Sequence, residues 1–265
     1  RDSSYGSIRG WDYTSSSGTS GWHWFGSWGS PEDAEFGWYA GDDVTWDNLC
    51  YTHPYYLPFW SAGNDRGDGP PSTGETFYYW SGGSWQSKPY DPNVDPAQDG
   101  GATGYDTVGH TGKNVMVVGA VSDAVSGGNR HLPNANMTSF SGWGPTDDGR
   151  IKPDIVANGS SLYSTGVSSD TAYWTASGTS MSSPNAAGTA VLICDLYWLT
   201  FGTDMRAATL KALLIHTADD LGQPGPDYIY GWGLLNAKTA ADQIIDHSNS
   251  ADDLIIEDHL DAQDP

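Results

Sequence analysis

Val115-Met116-Val117-Val118-Gly119-Ala120-Val121 is a stretch without a single polar side chain. Alternating polar and apolar residues would mark a strand with one wet face; an unbroken apolar run bounded by Lys113-Asn114 and Ser122-Asp123 reads as a strand covered on both faces, as in parallel sheets. Asp154-Ile155-Val156-Ala157 is a shorter run of the same kind. C-terminal to them the periodicity changes. Residues 181–200 are rich in Ala, Leu and Val, residues 205–218 place Leu210, Leu213 and Leu214 at helical spacing, and residues 236–245 form a third helical segment. Strands that alternate with helices predict an α/β fold with a mostly parallel sheet flanked by helices.

Towards the N-terminus the pattern weakens. Residues 41–54 read as a weak helix with Val44, Trp46 and Leu49 as its apolar face, and residues 55–62 as a strand. Residues 65–107 read as a long loop or small hairpin insertion: Gly, Pro and Asp dominate, and the one aromatic run, Phe77-Tyr78-Tyr79-Trp80, is closed by Gly82-Gly83. Loops of that length elaborate a scaffold rather than build it. The first 60 residues cluster Gly, Ser and Trp without periodicity. Beyond Asp246 the chain is acidic and poor in core residues, so residues 246–265 read as a linker or the start of another module.

Composition narrows the function classes. The chain of 265 residues carries 11 Lys+Arg against 33 Asp+Glu, a net charge of −22. A nucleic-acid surface needs a basic stripe, which so few cations do not supply. No run reaches the ~18 apolar residues of a membrane helix. All but four of the acids are Asp, and short carboxylates on a lysine-poor surface keep a protein hydrated and self-repelling, which suits an extracellular or cell-surface setting and a monomer. Cys50 and Cys194 are too few for a disulfide framework and read as buried free thiols, with a single bridge between them as the alternative.

The segment with chemical content is Ser177-Gly178-Thr179-Ser180-Met181-Ser182-Ser183-Pro184-Asn185, which sets Ser180 between a glycine turn and the first turn of an apolar helix. Unpaired N–H groups and the helix dipole at such a terminus stabilise an adjacent anion. An ordinary helix cap has the same look, so spacing alone leaves both readings open.

The residues of this segment also resemble a family. Gly178-Thr179-Ser180-Met181-Ser182-Ser183-Pro184 is similar to the nucleophile motif of the subtilisin-like serine proteases, the subtilases. Ser61-Ala62-Gly63-Asn64 resembles the strand end that supplies the family's oxyanion asparagine, and Ser3-Ser4-Tyr5-Gly6 its substrate-binding edge strand. Lys113 to Val121, Ser139-Phe140-Ser141-Gly142-Trp143-Gly144-Pro145, Lys152-Pro153-Asp154-Ile155-Val156-Ala157 and Tyr230-Gly231-Trp232-Gly233-Leu234-Leu235-Asn236-Ala237 resemble further family blocks in the same order. The resemblance implies a subtilisin-like fold over residues 1–245 and a serine endopeptidase in which Ser180 attacks the scissile carbonyl while its own N–H and the Asn64 amide hold the oxyanion. It implies that a peptide or protein substrate lies between Ser4, Tyr5 and Gly6 on one side and Ser61, Ala62 and Gly63 on the other, with Gly178 and Thr179 beside it. No cofactor is required for that chemistry. Structural calcium occurs in the family, but no block here matches one of its sites.

One departure is large. The family order is Asp, His, oxyanion Asn, Ser, and no Asp-Thr-Gly or His-Gly-Thr-His segment precedes Asn64. A serine hydroxyl without a base is a weak nucleophile. The catalytic Asp and His are therefore expected upstream of Arg1, residues 1–245 are expected to be an incomplete catalytic domain, and this chain alone is expected to be inactive. The alternatives are a non-catalytic homologue that binds extended peptides and an aromatic surface-binding module built on Trp11, Trp22, Trp24 and Trp28; those tryptophans would equally make a local core. His110, in Gly109-His110-Thr111-Gly112, is rejected as a substitute base because it precedes the Val115 strand. Asp91, Asn93, Asp95 and Asp99 imitate the start of a calcium loop, but Pro96 and Ala102 stand where it needs Gly and Glu, so no metal residues are assigned.

Overall fold

A computed structural model describes residues 9–14, 20–39 and 41–258. Its strands are β1 (Trp11–Thr14), β2 (Gly21–Trp24), β3 (Phe59–Ser61), β4 (Thr76–Ser81), β5 (Ser84–Pro89), β6 (Met116–Val121), β7 (Val125–Ser126), β8 (Asn129–Arg130), β9 (Ile155–Asn158), β10 (Leu162–Thr165) and β11 (Tyr173–Ala176). Its α-helices are α1 (Asp42–Thr52), α2 (Thr179–Phe201), α3 (Ala207–His216) and α4 (Ala237–Asn249).

The apolar run around Val117 is the middle strand of a parallel sheet ordered β3-β6-β9. Every residue of β6 is buried. Because side chains alternate across a strand, Met116 and Val118 face one layer and Val117 the other. Met116 and Val118 join Ile155, Ala157, Ala186, Ala190, Ile193, Leu213, Leu214 and Ile244 in the main core, to which α2, α3 and α4 contribute. Val115 and Val117 pack with Cys50, Ala62 and Val108 on the α1 side. The chain is thus an α/β protein with helices on both faces of a parallel sheet.

Helix α1 corrects the expected face. Of that face Trp46 packs, partly buried, against the Cys50 cluster, but Val44 and Leu49 are exposed, and the buried residues are Asp43, Asp47 and Cys50. The reason is hydrogen bonding. Asp43 accepts from Thr111 N (3.1 Å) and Thr111 Oγ1 (2.9 Å), while Asp47 accepts from Lys113 N (2.9 Å), Asn114 N (2.7 Å) and the Tyr39 hydroxyl (2.8 Å). Two carboxylates at helical spacing therefore hold the loop that feeds β6, which an apolar-face reading cannot find. The strand expected over residues 55–62 is confined to Phe59–Ser61, after a turn in which Tyr56 N–H donates to His53 O. The third C-terminal helix runs on to Asn249, and the acidic segment after it is partly docked: Ile255 packs on the main core and Glu257 accepts from Arg206 N at 2.9 Å.

Residues 11–14, 21–24, 76–81 and 84–89 form a second sheet, ordered β1-β2-β4-β5, with β2 and β4 parallel and the other pairs antiparallel. Gly82 and Gly83 close the β4–β5 hairpin with φ of 60° and 83°, the left-handed pair that a two-residue turn demands. Trp11, Trp24 and Phe77 are fully buried, Trp11 lying 5.3 Å from Trp24 and 5.0 Å from Phe77 between ring centroids, with Tyr90 completing the cluster. Trp11 and Trp24 are therefore core residues and not a binding surface. The tryptophan-rich opening and the hairpin of residues 76–89 make one aromatic unit.

Candidate functional site

Ser180 is the second residue of α2 and is exposed, whereas Gly178 and Thr179 before it are buried. Gly178 takes φ 155° and ψ 161°, its N–H donates to Gly159 O (2.8 Å), and its carbonyl accepts Met181 N (3.0 Å) and Ser182 N (3.3 Å). The turn is thus tied at one end to the residue after β9 and at the other to the helix it opens. Pro184 stands at the sixth helical position, beyond the turn whose N–H groups are free. It lacks the N–H that would bond the Ser180 carbonyl, so that carbonyl is left out of the helical ladder.

Asn64 lies on the loop after β3 and is exposed. Its Oδ1 accepts Thr179 N–H at 2.9 Å and Thr179 Oγ1–H at 2.8 Å. A main-chain N–H can only donate, so this bond fixes which end of the amide faces Thr179 and leaves Nδ2, the donor, on the other side. Among the described residues neither Asn64 Nδ2 nor the Ser180 N–H has a hydrogen-bond partner. Both flank one place: a methyl group built on Gly178 would lie 3.7 Å from Asn64 Nδ2 and 3.7 Å from Ser180 N. Two donors without partners, with Met181 Sδ at 3.5 Å, therefore surround the side of Gly178 where another residue would carry a side chain. The sequence reading assigns Thr179 to substrate contact. In the structure its N–H and hydroxyl hold Asn64, a role that needs the 115-residue separation to close in space before it can be seen.

The wall residues also become specific. Ala62 N–H donates to Val118 O (3.0 Å), Ala62 O accepts Gly109 N (2.8 Å), and Gly63 O accepts Gly142 N (3.0 Å). Both polar groups of the Ala62 main chain and the Gly63 carbonyl are therefore engaged, while the Gly63 N–H has no partner among the described residues. Ser4, Tyr5 and Gly6 lie outside the described residues. Beyond Asn64, Asp65 is pushed up to about 6 by its removal from water, with Asp12 reinforcing the rise and Arg9 opposing it.

No histidine bonds Ser180 among the described residues, whose hydroxyl has no partner. His110 packs edge-on against Trp60 of β3 (4.2 Å between centroids), and burial, with Arg9 and Lys152 nearby, lowers it to about 4. The calcium-like loop uses its carboxylates internally: Asp91 accepts Asn93 N (3.0 Å), Asp95 pairs with Lys88 (2.6 Å) and Asp99 accepts Trp11 N (2.9 Å). Among the described residues no three His, Cys, Asp or Glu side chains group as a metal cage. Cys50 is a buried free thiol and Cys194 a half-buried one.

Below the site, Lys152 and Asp154 form a buried ion pair (2.6 Å), joined by Lys211 (3.0 Å), and Asp154 accepts Val117 N (2.7 Å). Burial would raise Asp154, but the two ammonium groups and these bonds bring it below the usual carboxylate range. This triad locks β6 to the segment that leads into β9.

The site thus sets a serine at the start of a helix beside an asparagine on the loop after a parallel strand, within an α/β protein. Residues 6–233 match the subtilase family, and the chain belongs to it. It is 34% identical over 151 residues to subtilisin DY of Bacillus licheniformis, covering 56% of this chain and 46% of that protein. It is 32% identical over 140 residues to the serine protease AprX of Bacillus subtilis strain 168, covering 48% and 30% respectively. The patellamide maturation protease PatA shares the fold at 19% identity and a TM-score of 0.51, over 79% of this chain and 58% of that one. The chain thus spans half or less of the curated relatives it matches.

Proposed function

We propose that this chain supplies the nucleophile and oxyanion receptor of a serine endopeptidase. Ser180 Oγ attacks a peptide carbonyl, and the carbonyl oxygen moves into the space between Ser180 N–H and Asn64 Nδ2 as it becomes an oxyanion. Donors placed in advance need no reorganisation when the charge develops. Collapse of the tetrahedral intermediate releases the amine and leaves an acyl group on Ser180, which water removes in a second passage through the same receptor. The proton of Ser180 needs a base, and we assign it to an Asp–His pair outside the described residues, upstream in the longer polypeptide. A peptide or protein substrate would extend along residues 4–6 and rest against residues 61–63. The chemistry asks for no cofactor, and the acidic surface suits a monomer acting outside the cell.

The observation that carries this reading is the pair of bonds from Thr179 to Asn64 Oδ1, which turns the amide's donor end outward beside the Ser180 N–H. The test is hydrolysis of casein by the natural polypeptide that contains these residues. Activity abolished by Ser180→Ala is expected, and this chain alone should be inert. Full activity of the Ser180→Ala variant contradicts the assignment. A folded, peptide-binding but inert natural polypeptide would favour a non-catalytic subtilase instead.

A further inference from the structure

The second sheet holds a site that the proteolytic reading does not use. Phe25, Gly26, Ser27, Trp28, Trp80 and Trp85 line a cleft of about 330 Å³ on it, near the lower end of the ~300–1,000 Å³ usual for small-molecule sites. Its indoles are unlike Trp11 and Trp24: Trp28 is 40% and Trp80 49% exposed. They are also held in place. Trp28 stacks on Tyr79 (3.7 Å, 20°), and Trp80 packs edge-on against Trp85 (5.6 Å, 79°), which in turn meets Phe25 (5.4 Å, 78°).

The cleft also has unused donors. Among the described residues the main-chain N–H groups of Gly26, Ser27 and Trp28 have no hydrogen-bond partner, and Gly26 is buried. A buried main-chain N–H without an acceptor is rare, so such a group in a cavity wall signals an oxygen supplied from outside. Among the described residues Lys88 is the cation at the cleft, 5.1 Å above Trp28, and it is already paired with Asp95 at 2.6 Å. With the chain at −22, an anionic ligand is disfavoured. The ligand chemistry required is a neutral molecule with flat C–H faces to lie on indoles and oxygens to accept from N–H groups.

We propose that this cleft binds a pyranose unit, or a pair of them, of a neutral glycan. The sugar's C–H face would lie on Trp80 or Trp28 and its hydroxyl oxygens would accept from the 26–28 main chain. An aliphatic or lipid chain would leave those donors unsatisfied. The site is independent of Ser180 and would hold the protein on a polysaccharide-containing surface. The test is calorimetric titration of the 265-residue chain with maltohexaose, cellohexaose and chitohexaose, and with N-acetyltryptophanamide as an apolar control. Saturable binding of at least one oligosaccharide is expected, weakened at least about fivefold in Trp80→Ala. Trp80 is half-exposed, so that variant should keep the parent's melting temperature; Trp85→Phe, which keeps an aromatic wall, gives a second reading if it does not. The proposal fails if no oligosaccharide binds, if both variants bind like the parent, or if only N-acetyltryptophanamide binds.

Discussion

The two sheets of this protein reach burial by different means. The parallel sheet is built from contiguous aliphatic runs, and helix α2, laid across β3, β6 and β9, delivers Ser180 at its end. The aromatic sheet has no such run. Its core is four rings taken from three strands and a loop, and its edges are tied by carboxylates that accept main-chain N–H groups, Asp33 from Gly10 and Asp99 from Trp11. In the first, position in a repeating pattern decides what is buried; in the second, individual large side chains and individual acceptors do. Ser180 and Asn64 belong to the first kind, where backbone geometry is least adjustable.

The largest expected effects remove what each sheet alone depends on. Asp154→Ala leaves Lys152 buried without its counter-charge and frees Val117 N, and should cost about 3–5 kcal/mol, melting both sheets together in thermal unfolding followed by circular dichroism. Phe77→Ala opens a cavity among Trp11, Trp24 and Tyr90 at a similar cost of about 3–5 kcal/mol. Its loss should appear first in the near-ultraviolet tryptophan signal, with the helical signal at 222 nm persisting to higher temperature. If the two signals fall together, the two sheets are one cooperative unit.

The next effect concerns the site. In the natural polypeptide, Asn64→Leu should lower kcat about 10²–10³-fold with little change in KM, the range found for loss of this donor in a subtilisin and adopted from that relative. Thr179→Val keeps the Thr179 N–H bond to Asn64 but removes the hydroxyl one, so its effect on kcat should be several-fold smaller. An equal loss in both variants would mean that Thr179 acts on the substrate directly.

The smallest effect is spread over pH. Asp99 is raised from 3.8 to about 9 by burial, the Trp11 N–H opposing the rise and Asp65, Asp68 and Asp33 adding to it. Asp68 is raised to about 7 by burial, Asp65 and Asp12. A carboxyl group with a raised folded value binds more protons folded than unfolded, so stability from these groups is present below about pH 4 and declines as pH climbs towards 9. The melting temperature should therefore fall between pH 5 and 9 at low salt, less at 1 M KCl. Asp99→Asn, whose amide oxygen can still accept Trp11 N, should flatten the decline. A melting temperature that rises across this range would contradict the raised Asp99 and Asp68.

The parallel sheet was legible because it follows periodicity: β6, β9 and the three C-terminal helices fall within a few residues of where Val115–Val121 and the leucine spacing place them. Helix α1 was legible in its place but not in its inward face, which is Asp43 and Asp47, residues that propensity assigns to solvent. The aromatic sheet was half visible. The Phe77 hairpin has its own turn signal, but its parallel pairing with β2 joins residues more than fifty apart, and nothing local announces that. At the site, Ser180 and Asn64 could be named from their motifs, whereas the Thr179 clamp and the engaged main chain of Ala62 are facts of tertiary closure.

The most direct test of the account is to map where a fluorophosphonate probe attaches, by peptide mass spectrometry, in this chain alone and in the natural polypeptide with its upstream segment. The account predicts a single label on Ser180 that requires the upstream segment and disappears on denaturation. A label on another serine, or equally fast labelling of Ser180 in the chain alone, would contradict it.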